Sequence, residues 1–265
     1  MSANPQVSEQ LVLREDREGI CTLTLNRPKA RNALSVALMD ALQKELDEIR
    51  DNKSVRVVVL GANGPAFCAG HDLKEMRANP ERPFYDALFN QCSRLMTSIV
   101  KLPQPVIARI HGIATAAGCQ LVATCDLAVA AESVRFATPG VNIGLFCSTP
   151  MVALSRAVGR KHAMEMLLTG DMVEAQRAYE MGLINRVVAD ESLDTSVNEL
   201  ANKMAAKSPL TLAIGKEAFY SQAEMKLDAA YTYCSEVMTR NMMARDAEEG
   251  IDAFINKRQP TWRGE

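Results

Sequence analysis

No charge of one sign dominates this chain: 30 Lys and Arg stand against 32 Asp and Glu in 265 residues, a formal net charge of −2. A nucleic-acid binder needs a basic excess and a trap for a basic partner needs an acidic run; the sequence has neither. Long hydrophobic runs are missing as well, since none approaches the roughly 18 apolar residues of a membrane span. Met1–Gln6 carries no positive segment, no apolar stretch and no Arg-rich amphipathic stretch, so no leader is expected. Cysteine occurs seven times, at 21, 68, 92, 119, 125, 147 and 234, but never in CxxC spacing. An odd number of unpaired thiols in apolar or small-residue surroundings reads as buried and reduced. The expectation is a soluble cytoplasmic protein. No internal repeat or low-complexity tract is present.

What is present is the composition of an ordinary globular protein, 48% hydrophobic and 23% charged, long enough for a sizeable core. Leu11–Leu13 and Ile20–Leu25 predict two strands around a turn. Leu38, Leu42, Leu46 and Ile49 recur at helical spacing over 36–51, with Asn32 or Ser35 as the cap. Val55–Leu60, Pro105–Ile110, Leu127–Ala131 and Ser133–Ala137 read as strands, with helices over 84–101 and 116–124 between them. Alternating strands and helices predict an α/β protein with a parallel sheet. From Thr149 the pattern is nearly all helix: 149–158, 160–168, 173–181, 191–206, 209–221 and 226–256, with Leu183–Val188 as a brief strand. The division expected is a core over 1–195 and a helical region over 196–265.

Two small-residue segments carry the chemistry. Phe67–Leu73 (FCAGHDL) follows one strand-like run, and Ala114–Leu121 (ATAAGCQL) follows another. A strand, a small turn and a helix start leave backbone N–H groups unpaired at the positive end of the helix. Two such ends facing each other form an oxyanion hole, which stabilises negative charge developing on a carbonyl oxygen. Lys29 with Arg31, and Lys257 with Arg258, form local basic clusters that by themselves read as solvated surface.

Those segments, together with Leu25–Ala33 (LNRPKARNA), Phe136–Pro139, Asn142–Leu145, Leu167–Gly170 and Gly182–Val187, resemble the crotonase superfamily, the enoyl-CoA hydratases and isomerases, over nearly the whole chain. ATAAGCQL with FATPGVNIGLFCSTP looks most like the enoyl-CoA hydratase domain-containing protein 3 subgroup. The resemblance implies a ClpP-like spiral of ββα turns and a C-terminal helical region that builds trimers, often stacked as hexamers. It implies an acyl-CoA thioester as ligand, with its carbonyl between the N–H groups of His71 and Ala117. Ala33, Ala69, Asp72, Leu73, Gly118, Pro139 and Leu145 would line the ligand, and Lys29, Arg31 and Lys257 or Arg258 would meet its phosphates. Coenzyme A is then part of the substrate; no separate cofactor and no metal is expected.

The resemblance also marks two departures. Family hydratases place glutamates where this chain has Gln120 and Gly140, and isomerases keep the second of them as base. Glutamine has no proton to exchange near neutral pH, and glycine has no side chain, so hydration should be slow. Gln120→Glu with Gly140→Glu is expected to raise it, the risk being a positive φ at Gly140. His71, Cys119, Cys147 and Ser148 are candidate substitutes; His111 and His162 read as structural, and Asp72 and Glu75 read as helix-opening residues. Two other readings stand beside a hydratase-like protein. One is a decarboxylase of malonyl-type CoA thioesters, although the tyrosine some such members use is not evident. The other is a non-catalytic acyl-CoA binder.

Overall fold

The computed structural model describes residues 10–265; the polar start Met1–Gln6 and the first nine residues of the expected core lie outside that range. β1 (Val12–Arg17) and β2 (Ile20–Leu25) pair antiparallel around Glu18 and Gly19, whose φ values are 51° and 82°. α1 (Val36–Arg50) follows, capped by Ser35, whose Oγ accepts the Leu38 amide at 3.2 Å. Leu38, Leu42, Leu46 and Ile49 of the helical spacing are all buried, and Met39 joins them.

The chain then repeats one pattern. β3 (Val57–Ala62) and β4 (Ala66–Cys68) lead to α2 (Leu73–Ala78) and α3 (Arg82–Lys101); β5 (Val106–Ile110) and β6 (Ile113–Thr115) lead to α4 (Ala117–Thr124). β7 (Leu127–Ala131) and β8 (Arg135–Ala137) lead, through a 3-10 turn at Pro139–Ile143, to α5 (Pro150–Ala157). Long and short strands sort into two sheets, ordered β1-β2-β3-β5-β7-β10 and β4-β6-β8-β9, with β9 at Val173–Glu174 and β10 at Arg186–Val188. Pairing is parallel from β2 to β10, and every residue of β3 is buried, as a strand covered on both faces must be. In the first turn the short strand is reduced to one bridge, Leu34 to His71. This is the ββα spiral that the resemblance implies.

Helices α6 (Arg160–Thr169) and α7 (Ala175–Glu180) surround β9, so the helix expected over 173–181 begins as a strand; that expected at 183–188 narrows to β10. α8 (Leu193–Ala205) straddles the 195/196 division and buries Leu193, Val197, Ala201 and Ala205, with β3, β5 and β7 beneath it. α9 (Pro209–Gln222) follows. The single helix expected over 226–256 is two, α10 (Leu227–Met242) and α11 (Arg245–Ile255), parted at Ala244, which is extended at φ −76° and ψ 143°. α9 is fastened to the core by Lys216, whose Nζ lies 2.7 Å from Asp126 Oδ2 and donates to the carbonyls of Ile99 and Gln104. Tyr220 donates its hydroxyl to the other Asp126 oxygen at 2.9 Å.

Candidate active site

The two small-residue turns meet where the small sheet ends. Leu34 takes the Gly70 carbonyl with its amide and gives its own carbonyl to the Asp72 amide, at 2.7 and 3.1 Å. Alternation along an extended segment then turns the His71 N–H to the opposite side. On the other turn the Ala116 amide completes the sheet on the Ala137 carbonyl, after which φ of +50° and ψ of −118° swing the chain into α4. Alanine rarely adopts a positive φ; here it leaves Ala117 as the first helical residue, with its N–H outside both ladder and helix. Neither the His71 nor the Ala117 amide has an acceptor among the described residues.

Three contacts hold the turns together. Thr115 donates Oγ1 to the Ala69 carbonyl at 3.1 Å. A Cβ on Gly70, whose φ is +98°, would lie 2.9 Å from Ala116 Cβ and 3.4 Å from the Ala117 nitrogen. A Cβ on Gly118 would lie 2.1 Å from the Cys68 carbonyl oxygen, so α4 sits directly on the β4 backbone. Only glycine permits this approach.

The side chains around this frame are poor in acid and base. Gln120 is 4% exposed on α4, and its Oε1 has no hydrogen-bond partner among the described residues. Gly140 is buried in the 3-10 turn, and its φ is not in the left-handed region. The obstacle to a side chain there is therefore crowding, not the strain expected from the sequence. A Cβ would lie 2.5 Å from the Leu145 carbonyl oxygen and 2.9 Å from Cys147 Sγ. Burial pushes the Cys147 thiol up, with a backbone hydrogen bond from Gly140 opposing it, and pushes Cys119 up to about 12. Both are thiols, not thiolate nucleophiles, near neutral pH. Burial lowers the His71 imidazole to about 4, so it is neutral; its Nε2 is buried without a partner, and its ring stands edge-on to Phe89 at 5.5 Å. His111 Nε2 meets the Gly64 carbonyl at 2.7 Å, and His162 Nδ1 lies 3.5 Å from Arg177.

The segment expected to hold the coenzyme runs alongside. The Ala69 amide donates to the Arg31 carbonyl at 3.1 Å, which joins the Ala30–Ala33 and Ala69–Leu73 segments. Arg31 and Asn32 are both left-handed, at φ 51° and 52°. Asn32 is fully buried and organises the loop, accepting the Arg27 amide and donating to the carbonyls of Asn63 and Ala66. Arg27 donates to the Ala33 carbonyl and pairs with Asp72 at 3.0 Å. Asp72 also caps α2 through the Lys74 and Glu75 amides, so its carboxylate is occupied in holding the turn. Ala33 and Ala69 are half-buried, Leu73 and Leu145 exposed, and Pro139 starts the 3-10 turn. Lys29 and Arg31 are exposed cations on this edge. Arg258 is held by both oxygens of Glu249, at 2.6 and 2.7 Å, leaving Lys257 as the exposed, unpaired cation of that pair among the described residues. α11 packs on α9 and α10.

A model of the family described as enoyl-CoA hydratase/isomerase matches residues 15–265. The chain belongs to the enoyl-CoA hydratase/isomerase family. Within that family it is 47% identical over 252 residues to the mitochondrial enoyl-CoA hydratase domain-containing protein 3 of Xenopus laevis, covering 95% of this chain and 86% of that one. Among solved structures, an enoyl-CoA hydratase of Mycobacterium smegmatis is 55% identical at a TM-score of 0.93, covering 95% of this chain and 98% of the other. Human enoyl-CoA hydratase domain-containing protein 3 is 45% identical, also at 0.93, covering 95% and 100%. The crotonase spiral is thus a property of the family as well as of this chain.

Sequence reading offered Asn32 only as a possible cap for α1, a place Ser35 takes, and gave Arg27 no part in the loop. A signal for Asn32 was present, since asparagine tolerates the left-handed conformation it adopts here.

Proposed function

We propose that this protein binds an acyl-CoA thioester and polarises its carbonyl between the main-chain N–H groups of His71 and Ala117. The observation that carries the reading is that both amides lack acceptors and stand on turns tied together at Thr115–Ala69 and Gly70–Ala116. The likeness to enoyl-CoA hydratases supports the ligand class. Preorganised donors of this kind stabilise an enolate without a side-chain charge. Lys29 and Arg31 then face the phosphates, and the joined loops at Ala33, Ala69 and Leu73 take the rest of the coenzyme, with Gly118, Pro139 and Leu145 nearer the acyl group. Titration with acetoacetyl-CoA in a calorimeter should show saturable binding; none at millimolar ligand would remove the reading.

With no carboxylate at 120 or 140, chemistry that makes the enolate without a base fits better than hydration. Loss of carbon dioxide from a malonyl-type thioester leaves the electron pair of the broken C–C bond in the enolate, which the two amides stabilise. That second reading is favoured by the absence of room for a side chain at Gly140. Turnover of malonyl- and methylmalonyl-CoA beside crotonyl-CoA separates the two, and binding without turnover of any would leave a binder.

The assembly proposed is a trimer, alone or stacked as a hexamer. The C-terminal helices expose Phe219, Tyr231, Met238, Met243, Phe254 and Ile255, each more than 60% open in the single chain, an apolar surface that a monomer seldom leaves uncovered. In a trimer Lys257 can reach a neighbouring subunit's coenzyme. Sedimentation velocity at micromolar protein should give a trimer or a multiple of it; a monomer alone would exclude this assembly. The seven thiols, all free, fit a reducing compartment such as the cytoplasm.

A further inference from the structure

His111 stands between β5 and β6, on the segment that runs into the Ala117 turn. Its Nε2 lies 2.7 Å from the Gly64 carbonyl oxygen. A carbonyl can only accept, so the imidazole carries a proton on Nε2. The other ring nitrogen, Nδ1, is buried and has no partner among the described residues. A buried polar atom left unpaired is costly, and a residue that only filled space here would be better apolar. The Nε2 donor is therefore what this position uses.

Gly64 belongs to the turn between β3 and β4, which supports the loop proposed to meet the phosphates. Gly64 has a φ of +84°, and a Cβ there would lie 2.4 Å from Pro28 Cβ and 3.0 Å from Pro28 Cα. Pro28 opens the 3-10 turn Pro28–Ala30, so Lys29 and the left-handed Arg31 follow directly from it. Asn63, beside Gly64, donates its amide to the Leu25 carbonyl and its Nδ2 to Asn26, and its own carbonyl accepts from Asn32. A Cβ on Gly112, next to His111, would lie 2.9 Å from the Pro65 carbonyl oxygen. The Asn63–Pro65 turn thus touches both His111–Gly112 and the loop that bears the two exposed cations.

Resting on the acyl-CoA reading above, we infer that His111 is a positioning residue for the contacts to the coenzyme's phosphates. It acts through Gly64: the Nε2 hydrogen bond fixes the Asn63–Pro65 turn, the turn fixes Pro28, and Pro28 sets where Lys29 and Arg31 stand. The path does not pass through the amides of His71 or Ala117. Its effect accordingly belongs to the nucleotide end of the ligand and not to the thioester carbonyl.

The test compares acetoacetyl-CoA with acetoacetyl-pantetheine, which keeps the thioester and lacks the nucleotide phosphates. Binding is measured by calorimetry in the intact protein, in His111→Phe, which keeps a ring and loses the donor, and in His111→Gln, whose amide restores a donor. His111→Phe should weaken acetoacetyl-CoA binding roughly fivefold, the worth of one hydrogen bond, and leave the pantetheine thioester within about twofold. His111→Gln should recover most of the loss. Gly64→Ala, which displaces Pro28 directly, should show the same loss confined to the full coenzyme. An equal loss with both ligands overturns the inference, because the damage then reaches the two amides. Parental acetoacetyl-CoA affinity in folded His111→Phe overturns it too, as does a His111→Gln protein no better than His111→Phe. Where His111→Phe does not fold, parental affinity in Gly64→Ala is the overturning result. Failure of both thioesters to bind the intact protein removes the acyl-CoA reading itself, and this inference with it.

Discussion

Purified protein should hydrate crotonyl-CoA at least roughly 10³-fold more slowly than a family member with both glutamates. Adding water across the double bond takes a proton from water and delivers one to the carbon beside the thioester. The Gln120 amide can do neither, Gly140 has no side chain, and the neutral, buried His71 imidazole and the protonated Cys119 and Cys147 thiols are poorly suited to either task. Gln120→Glu should raise the rate, because on the proposed reading the two amides already stabilise the enolate and the replacement is nearly isosteric. Gly140→Glu should not add to it in the way the sequence suggested. Its Cβ would meet the Leu145 carbonyl oxygen at 2.5 Å, so the Leu145–Cys147 loop must move first. Stopped-flow absorbance at the enoyl thioester band measures these rates. Brisk hydration by the unmodified protein would sink the argument, and His71, Cys147 and Ser148 would be the residues to replace next.

The second large effect concerns a glycine that has no side chain to offer the ligand. Gly118→Ala should lower stability by about 3 kcal/mol or more and abolish thioester binding, since the new methyl would lie 2.1 Å from the Cys68 carbonyl oxygen and 2.7 Å from its carbon. Relief requires α4 to lift off β4, which moves the Ala117 amide. Gly215→Ala on α9 is the control. It has no neighbour within 4 Å of the added Cβ, and alanine favours a helix by about 1 kcal/mol over glycine. Denaturant midpoints and calorimetry on the two variants test this; a Gly118→Ala protein as stable and as competent in binding as the parent would refute the account of how the hole is held.

Much of the fold was legible because its signals are local and repeated. Leu38, Leu42, Leu46 and Ile49 mark α1, and the unbroken Val57–Leu60 run marks a strand covered on both faces. The small sheet was harder to read, since β4, β6 and β9 have only three, three and two residues, too few for any period to show. The break between α10 and α11 had no local sign either: no glycine or proline stands at Met242–Arg245. It goes with a tertiary contact. Asp246 is 2% exposed and accepts hydrogen bonds from Ser208 Oγ and from the amides of Arg263 and Gly264, which ties the start of α11 to α9 and the chain end. The two turns with unpaired amides were readable from small residues after strands, but the crowding at Gly140 was not. It depends on Leu145 and Cys147 folding back over the turn, a contact that spacing alone does not announce.

The two donors of the proposed hole are main-chain atoms, and this divides the proposed site into parts that mutation treats differently. A codon change at position 71 or 117 replaces a side chain and leaves an N–H where it was, provided the chain still folds. A codon change at 120 or 140 deletes or installs an acid or base outright. On the proposed reading, carbonyl polarisation is inherited with the fold, while proton transfer can be lost or regained one residue at a time. A lineage built on this frame can drift away from hydration without ceasing to grip a thioester, and so keeps a starting point from which other enolate chemistry can be selected.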